Sequence, residues 1–224
     1  YTNFDTLSLH DALPIYKGIE GYIVFSFKKA HENNFGFNDI IIKEWVYENK
    51  DAYLELATFL HSQADQIHRI HYATQEDDFY YGLFDPRNES NNLIPIVFHE
   101  SHKTGVGLMY RVVDVEEMWK QLSEHRFRNL NCTVKFTIED NLIVENNRAF
   151  VVRFNEGKAE VIGGEEYDVE MALNIAEFSS LLMNSVSLKS LYQYGLVKLS
   201  DEQYLEPLAD TFRTSQKPIC LSTF

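Results

Sequence analysis

The apolar pattern of this 224-residue chain passes through two cycles of short strands and helices, and the restart near Val115 is what most limits its architecture. In the first cycle, residues 21–27 (GYIVFSF) form a β-branched and aromatic run of the kind that makes a strand. Residues 31–38 are turn-like, and residues 39–47 (DIIIKEWVY) give a second strand, so the two are expected to pair as a hairpin. Asn49 then stands as a helix N-cap with Asp51 in the first turn, and Tyr53, Leu56, Ala57, Leu60 and Ala64 follow a helical period. Residues 68–73 and 108–113 read as further strands, separated by a stretch rich in turn signals. In the second cycle, residues 116–125 are expected to be helical and residues 133–138 (TVKFTI) alternate as a half-buried strand does. Residues 149–154 and 158–162 flank Asn155-Glu156-Gly157, a hairpin loop, and residues 168–175 alternate again. Residues 176–183, 188–194 and 202–212 read as three helices, with Gly195 as the C-cap of the second. Two α+β halves divided near Val115 follow, with no internal repeat.

Composition limits the partners. The 34 acidic against 20 basic residues give a formal net charge of -14, the wrong sign for a nucleic-acid footprint and the right one for cationic ligands. Aromatic residues at 14% exclude global disorder. The two cysteines, Cys132 and Cys220, make no disulfide framework and lack metal-spaced companions, which fits a reducing, cytoplasmic compartment. No apolar run approaches the ~20 residues of a membrane helix. Residues 1–15 (YTNFDTLSLHDALPI) look like the translation of a short-read sequencing adapter rather than a signal peptide, and they are set aside from fold reasoning. The expectation that follows is a chain whose native beginning is missing.

The chemical motifs are weak. His99-Glu100-Ser101-His102 is one residue short of the zinc helix motif H-E-x-x-H, and Pro95 argues against a regular helix there, so a polar loop is the better reading. His61, His68 and His71 have no acidic or cysteine partner at metal spacing in the sequence, and no metal is expected. Gly105-Val106-Gly107 precedes an apolar strand rather than a helix and so lacks the geometry of a phosphate cradle. Trp45, Tyr47 and Tyr53 are expected to pack a hairpin against a helix, with lining of a ligand cleft as the alternative. No serine elbow or paired Cys–His signal offers a covalent nucleophile.

Several strings are more specific than these motifs. They are Lys43-Glu44-Trp45-Val46-Tyr47-Glu48-Asn49, the segment from Phe59 to Ile67, Asp85-Pro86-Arg87-Asn88, Met109-Tyr110-Arg111-Val112-Val113-Asp114, the segment from Ser190 to Gly195, and the terminal Cys220-Leu221-Ser222-Thr223-Phe224. Together they resemble the Eis-like (enhanced intracellular survival) N-acetyltransferases of the GNAT superfamily. The resemblance implies a degenerate GNAT-like central domain over residues 16–114, shortened at its start. It places a sterol-carrier-protein-like domain over residues 115–224. It also implies a preceding GNAT domain that holds acetyl-CoA, so that this chain would not bind acetyl-CoA itself. The implied reaction is acetyl transfer from acetyl-CoA to a cationic primary amine, of aminoglycoside or lysine type, in a homo-oligomer, commonly a hexamer. The general base implied is the terminal carboxylate, here on Phe224. A stand-alone module that holds an apolar ligand in the sterol-carrier-like half is the alternative.

Overall fold

The computed structural model describes residues 14–15, 18–30, 37–95, 97–105, 109–128, 130–214 and 217–220. The chain divides into two compact units, Tyr1–Asp77 with Ile219–Phe224, and Asp78–Pro218.

Unit 1 is built on β1 (Gly21–Lys29), β2 (Asn38–Tyr47), α1 (Lys50–Ser62) and β3 (Ile67–Tyr72). β1 and β2 pair antiparallel, as the hairpin reading requires, with a register shift between Val24 and Phe25. α1 then carries the chain back, so that β3 pairs parallel with β2. A two-residue ladder also joins Pro14–Ile15 to Gly18–Ile19. α1 buries Ala52, Leu56 and Leu60 on one stripe, beneath a sheet face carrying Ile23, Phe25, Ile40 and Ile42. Gly21 lies where a Cβ would meet the Val46 carbonyl oxygen at 2.9 Å and Ala52 at 3.2 Å, so the close approach of β1 to β2 and α1 depends on its missing side chain.

Unit 2 contains α2 (Val115–Gln121), β4 (Cys132–Glu139), β5 (Ala149–Asn155), β6 (Lys158–Ile162), β7 (Val169–Asn174), α3 (Ile175–Leu182), α4 (Leu188–Gln193), β8 (Val197–Leu199) and α5 (Leu205–Thr211). The five strands run in the order β6-β5-β4-β7-β8. The β4–β7 pair is parallel and the others are antiparallel. Burial alternates along β4 and β7, which sends one face of the sheet inward. The β5–β6 turn has Glu156 at φ 48° and Gly157 at φ 79°, a two-residue turn whose positive φ angles match the twist of the strands. Gly157 cannot be replaced there, because a Cβ would stand 2.3 Å from the Phe127 carbonyl oxygen.

Three sequence expectations are corrected. The helix expected over residues 116–125 stops at Gln121 and tightens into a 3-10 turn over Leu122–Glu124. The last helix begins at Leu205, with Glu202–Tyr204 forming a 3-10 turn ahead of it. Residues 109–113 form no strand: the Val112 N–H donates to the Ser179 Oγ (2.9 Å) instead of to a ladder partner. Gly195, at φ 72°, terminates α4 in the left-handed conformation, as expected.

Candidate functional site

In unit 1 the parallel pairing of β2 with β3 covers Asn38–Ile42 and stops at Tyr72. The rest of β2, Lys43–Tyr47, runs on without β3 beside it. A cleft at the carboxyl ends of parallel strands, next to a helix N-terminus, is where α/β folds commonly place ligands. Here aromatic rings occupy that place. Trp45 stacks on Tyr53 with centroids 5.5 Å apart and planes inclined by 11°. Tyr72 lies 5.7 Å from Trp45, and Tyr47 lies 5.2 Å from Tyr53, edge to face. Trp45 is buried, whereas the three tyrosines are half-buried. The packing expected of Trp45, Tyr47 and Tyr53 is therefore present, and β3 adds Tyr72.

The electrostatics of this cluster are those of an acidic, partly dry rim. Burial pushes the Tyr47 phenol up, and the neighbouring Glu76 carboxylate adds to the rise. Burial likewise raises Tyr53 and Tyr72. At the adjacent α1 N-terminus one donor is taken and carboxylates stand close by. Asn49 Oδ1 accepts from the Ala52 N–H at 2.9 Å, Asn49 Nδ2 donates to Glu20 at 2.9 Å, and Asp51 sits in the first turn. A phosphate arriving there would meet a satisfied donor and nearby carboxylates, the opposite of the bare N–H groups that anion sites use. The cluster suits a cation, drawn to aromatic faces and to Glu76.

The histidines divide. His61 is exposed in the last turn of α1, where a cation is favoured by the helix dipole. His68 Nδ1 and His71 Nε2 each lie 3.3 Å from a different oxygen of Asp39, across the β2–β3 pairing. Both histidines are solvent-facing, in keeping with the expectation, and their acidic partner comes from another strand rather than from a metal-spaced neighbour in sequence. The two imidazoles hold the Asp39 carboxyl below its usual range against the opposing effect of burial. Among the described residues, no group of three or more His, Cys, Asp or Glu is placed to hold a metal ion.

In unit 2, Glu100 of the His99–His102 string is a loop staple. It accepts from Asn88 Nδ2 and Asn92 Nδ2, and His102 stacks on Tyr80. Gly105 lies in irregular chain, and the remainder of Gly105-Val106-Gly107 falls outside the described residues, as does Phe224. The sequence segment Met109–Asp114 has a structural role that spacing could not reveal. Arg111 Nη2 donates to both oxygens of Asp140 (2.7 and 2.8 Å). Asp140, whose side chain is fully buried, also accepts from the N–H groups of Leu142 and Ile143 and from Asn146 Nδ2. Burial opposes ionisation, but these donors and the guanidinium outweigh it and hold the carboxyl well below the usual range. Asp114 caps α2 by accepting from the Glu117 N–H, and Asn146 Oδ1 accepts from the Val115 N–H.

Aromatic rings cluster in the interior of unit 2. Trp119 stands 5.4 Å from Phe136, 5.9 Å from Phe127 and Phe154, and 6.1 Å from Phe178. Its buried Nε1 has no hydrogen-bond partner. Burial among such neighbours pushes the Cys132 thiol up to about 11, so it is no nucleophile. A polar depression of about 300 Å³ beside α2 is lined by Glu116, Glu117, Lys120 and Arg148. Within it Glu116 binds both Arg148 and Lys120, and the Arg148 guanidinium lies over Phe150.

A family model described as an acetyltransferase (GNAT) domain matches residues 12–112, and one described as a sterol carrier protein domain matches residues 119–221. No curated protein matches the chain. Among solved structures, the chain is similar to a GCN5-related N-acetyltransferase from Anabaena variabilis (TM-score 0.65, 18% identity, covering 90% of this chain and 47% of that one). A probable N-acyltransferase from Enterococcus faecalis gives TM-score 0.60 at 20% identity, covering 88% and 45%. Eis1 from Mycobacterium abscessus gives 0.59 at 18%, covering 91% and 48%. The chain therefore spans about half the length of these structures. The two halves of the sequence are, in order, a GNAT-like domain and a sterol-carrier-protein-like domain, in a mixed α+β fold.

Proposed function

We propose that these two domains are part of an acetyl-CoA-dependent N-acetyltransferase acting on primary amines of the aminoglycoside or lysine type. The observation that carries this reading is the tandem order of the two folds, shared over nine-tenths of the chain with a GCN5-related N-acetyltransferase. The acidic N-terminus of α1, with Asp51 in its first turn and Glu20 at its cap, supports a division of labour in which another domain holds acetyl-CoA. The net charge of -14 and the Tyr47–Glu76 rim favour a cationic substrate, and no described group calls for a metal. The Phe224 carboxylate is the proposed general base: it takes a proton from the ammonium, the freed amine attacks the thioester carbonyl, and the tetrahedral intermediate expels the coenzyme thiolate, which leaves as the thiol with the proton that the nitrogen sheds as the amide forms. The enzyme works in the cytoplasm as a homo-oligomer, a hexamer as the resemblance implies. No described helix is long and apolar enough to cross a membrane. The alternative is a module that holds an apolar ligand in the sterol-carrier-like half.

The test compares two variants of the complete gene product, with folding checked by circular dichroism and acetylation of kanamycin and of a lysine peptide measured. A glycine appended after Phe224 converts the carboxylate into an amide and moves the new one ~3.5 Å away. The expected loss in kcat is ~10²–10⁴-fold, the usual cost of a general base. Phe224→Leu keeps the carboxylate and is expected to lose far less. Near-full activity of the extended protein would remove the carboxylate from the mechanism, and a complete protein that acetylates neither amine would remove the reading itself.

A further inference from the structure

Glu76 follows β3 and brings a carboxylate to the aromatic cluster of unit 1. The Tyr47 hydroxyl donates to it, and its charge acts on both Tyr47 and Tyr72, so the carboxylate stands beside two phenols that come from different strands. The Glu76 N–H donates to Thr74 Oγ1 at 3.1 Å, and the Thr74 hydroxyl donates in turn to the Tyr72 oxygen. These bonds fix the turn after β3 against the rings. The two phenols are themselves held by the Trp45–Tyr53 stack, Tyr72 at 5.7 Å from Trp45 and Tyr47 at 5.2 Å from Tyr53. Glu76 is half-buried, and among the described residues no lysine, arginine or histidine pairs with it. A carboxylate in that position loses part of its hydration and recovers none of it from a fixed cation. A bound cation would restore it, and the neighbouring rings would add to the attraction.

We propose that Glu76, Tyr47 and Tyr72 form a subsite for a primary ammonium group other than the one that is acetylated, so that the favoured substrate carries two or more amines. The acceptors select the kind of cation. The Glu76 carboxylate and the two phenol oxygens belong to one connected set, and a phenol that has donated its proton once keeps lone pairs with which to accept. A primary ammonium has three N–H donors to give them, whereas a quaternary ammonium has none and could use only the rings. The proposal rests on the reading of the chain as part of an N-acetyltransferase of amines, and it adds the residues that choose among those amines. Glu76 and the two tyrosines act here in binding and orientation, and no proton transfer is assigned to them.

The experiment is calorimetric titration of kanamycin into the 224-residue chain, with folding of each variant checked by circular dichroism. Glu76→Gln is expected to weaken binding about fivefold or more, as the loss of a partly desolvated charge contact does. Tyr47→Phe and Tyr72→Phe keep the rings and remove one acceptor, and each is expected to weaken it about threefold. Glu165→Gln removes the same charge from an exposed position of unit 2 and is expected to change the affinity less than about twofold. Methylammonium is expected to displace kanamycin at several-fold lower concentration than tetramethylammonium. Equal losses from Glu76→Gln and Glu165→Gln overturn the proposal, because the attraction would then be that of net charge alone. Equal displacement by the two methylated ions overturns it as well, because the rings alone would then be the binding surface, and so does a chain that takes up no kanamycin at millimolar concentration. In the complete gene product, Glu76→Gln is expected to raise KM for kanamycin several-fold and KM for an N-acetylated peptide with one lysine much less; equal rises would make Glu76 structural and overturn the subsite. The two claims fail separately. A complete protein that acetylates neither amine while binding still depends on Glu76 loses the reaction and keeps the subsite, and an active one whose KM for kanamycin ignores Glu76→Gln loses the subsite and keeps the reaction.

Discussion

Trp45 and Trp119 are both buried, yet their surroundings differ. Around Trp45 stand three half-buried tyrosines and a carboxylate, at a point where two strands part. Around Trp119 stand four phenylalanines at 5.4–6.1 Å, beneath a five-stranded sheet. Tyrosine brings an apolar ring and a polar tip, so it suits the border of water; phenylalanine brings the ring alone and suits the interior. The contrast gives unit 1 a ring cluster at the border of water and unit 2 one in its interior.

The largest test of that contrast is Trp119→Ala. Removing a fully buried indole is expected to cost ~3–5 kcal/mol, a fall in Tm of about 10 °C or more in a thermal melt. Trp119→Phe should cost much less, because it also removes an N–H that has no partner. If alanine were tolerated, the interior would not be tightly packed and the apolar-ligand alternative would gain support. Next in size is the buried ion pair. Arg111→Met strands the Asp140 carboxylate and is expected to lower Tm by several degrees at pH 7. Because the Asp140 pKa is depressed on folding, its contribution is complete above the unfolded value of ~4 and is lost as pH falls through the folded value. The Tm gap between wild type and Asp140→Asn should therefore hold from pH 7 to 5 and narrow below pH 4.

Unit 1 should respond more weakly. Tyr53→Leu keeps apolar contact with Trp45 but loses the stacked ring, a difference of ~0.5–1.5 kcal/mol by chemical denaturation. The same variant should raise KM for an amine in the complete enzyme if the rim touches substrate, and leave it unchanged if the rings only pack. Smallest is Asp39→Asn. His68 and His71 are half-exposed, so the loss is expected to be no more than ~1 kcal/mol and to shrink in high salt.

What the sequence made legible was local. Asn155-Glu156-Gly157 announced a turn because two consecutive positive φ angles favour such residues, and Asn49 announced a helix start because a short amide can accept from Ala52. Alternation gave β4 and β7, but not their parallel pairing, since period 2 carries no information about which strand lies alongside. The three-residue β8 carries too few residues for any period. The site was legible only as residue types. Trp45, Tyr47 and Tyr53 are close in sequence and were found together, whereas Tyr72 joins them only through the β2–α1–β3 crossover. Asp39 reaches two histidines about thirty residues away for the same reason.

The Arg111–Asp140 pair bears on how this protein can be taken apart. The match to the sterol carrier family starts at residue 119, and a cut made there would seem to release an intact domain. It would sever Arg111 from a carboxylate that no water reaches, remove the Asp114 cap of α2, and free Ser179 of the Val112 N–H. The excised piece would keep every strand of the sheet and still be penalised at neutral pH, recovering in part only in acid, where Asp140 takes up a proton. The energetic border of the second domain therefore lies at or before Arg111, at least eight residues before the border that sequence similarity draws.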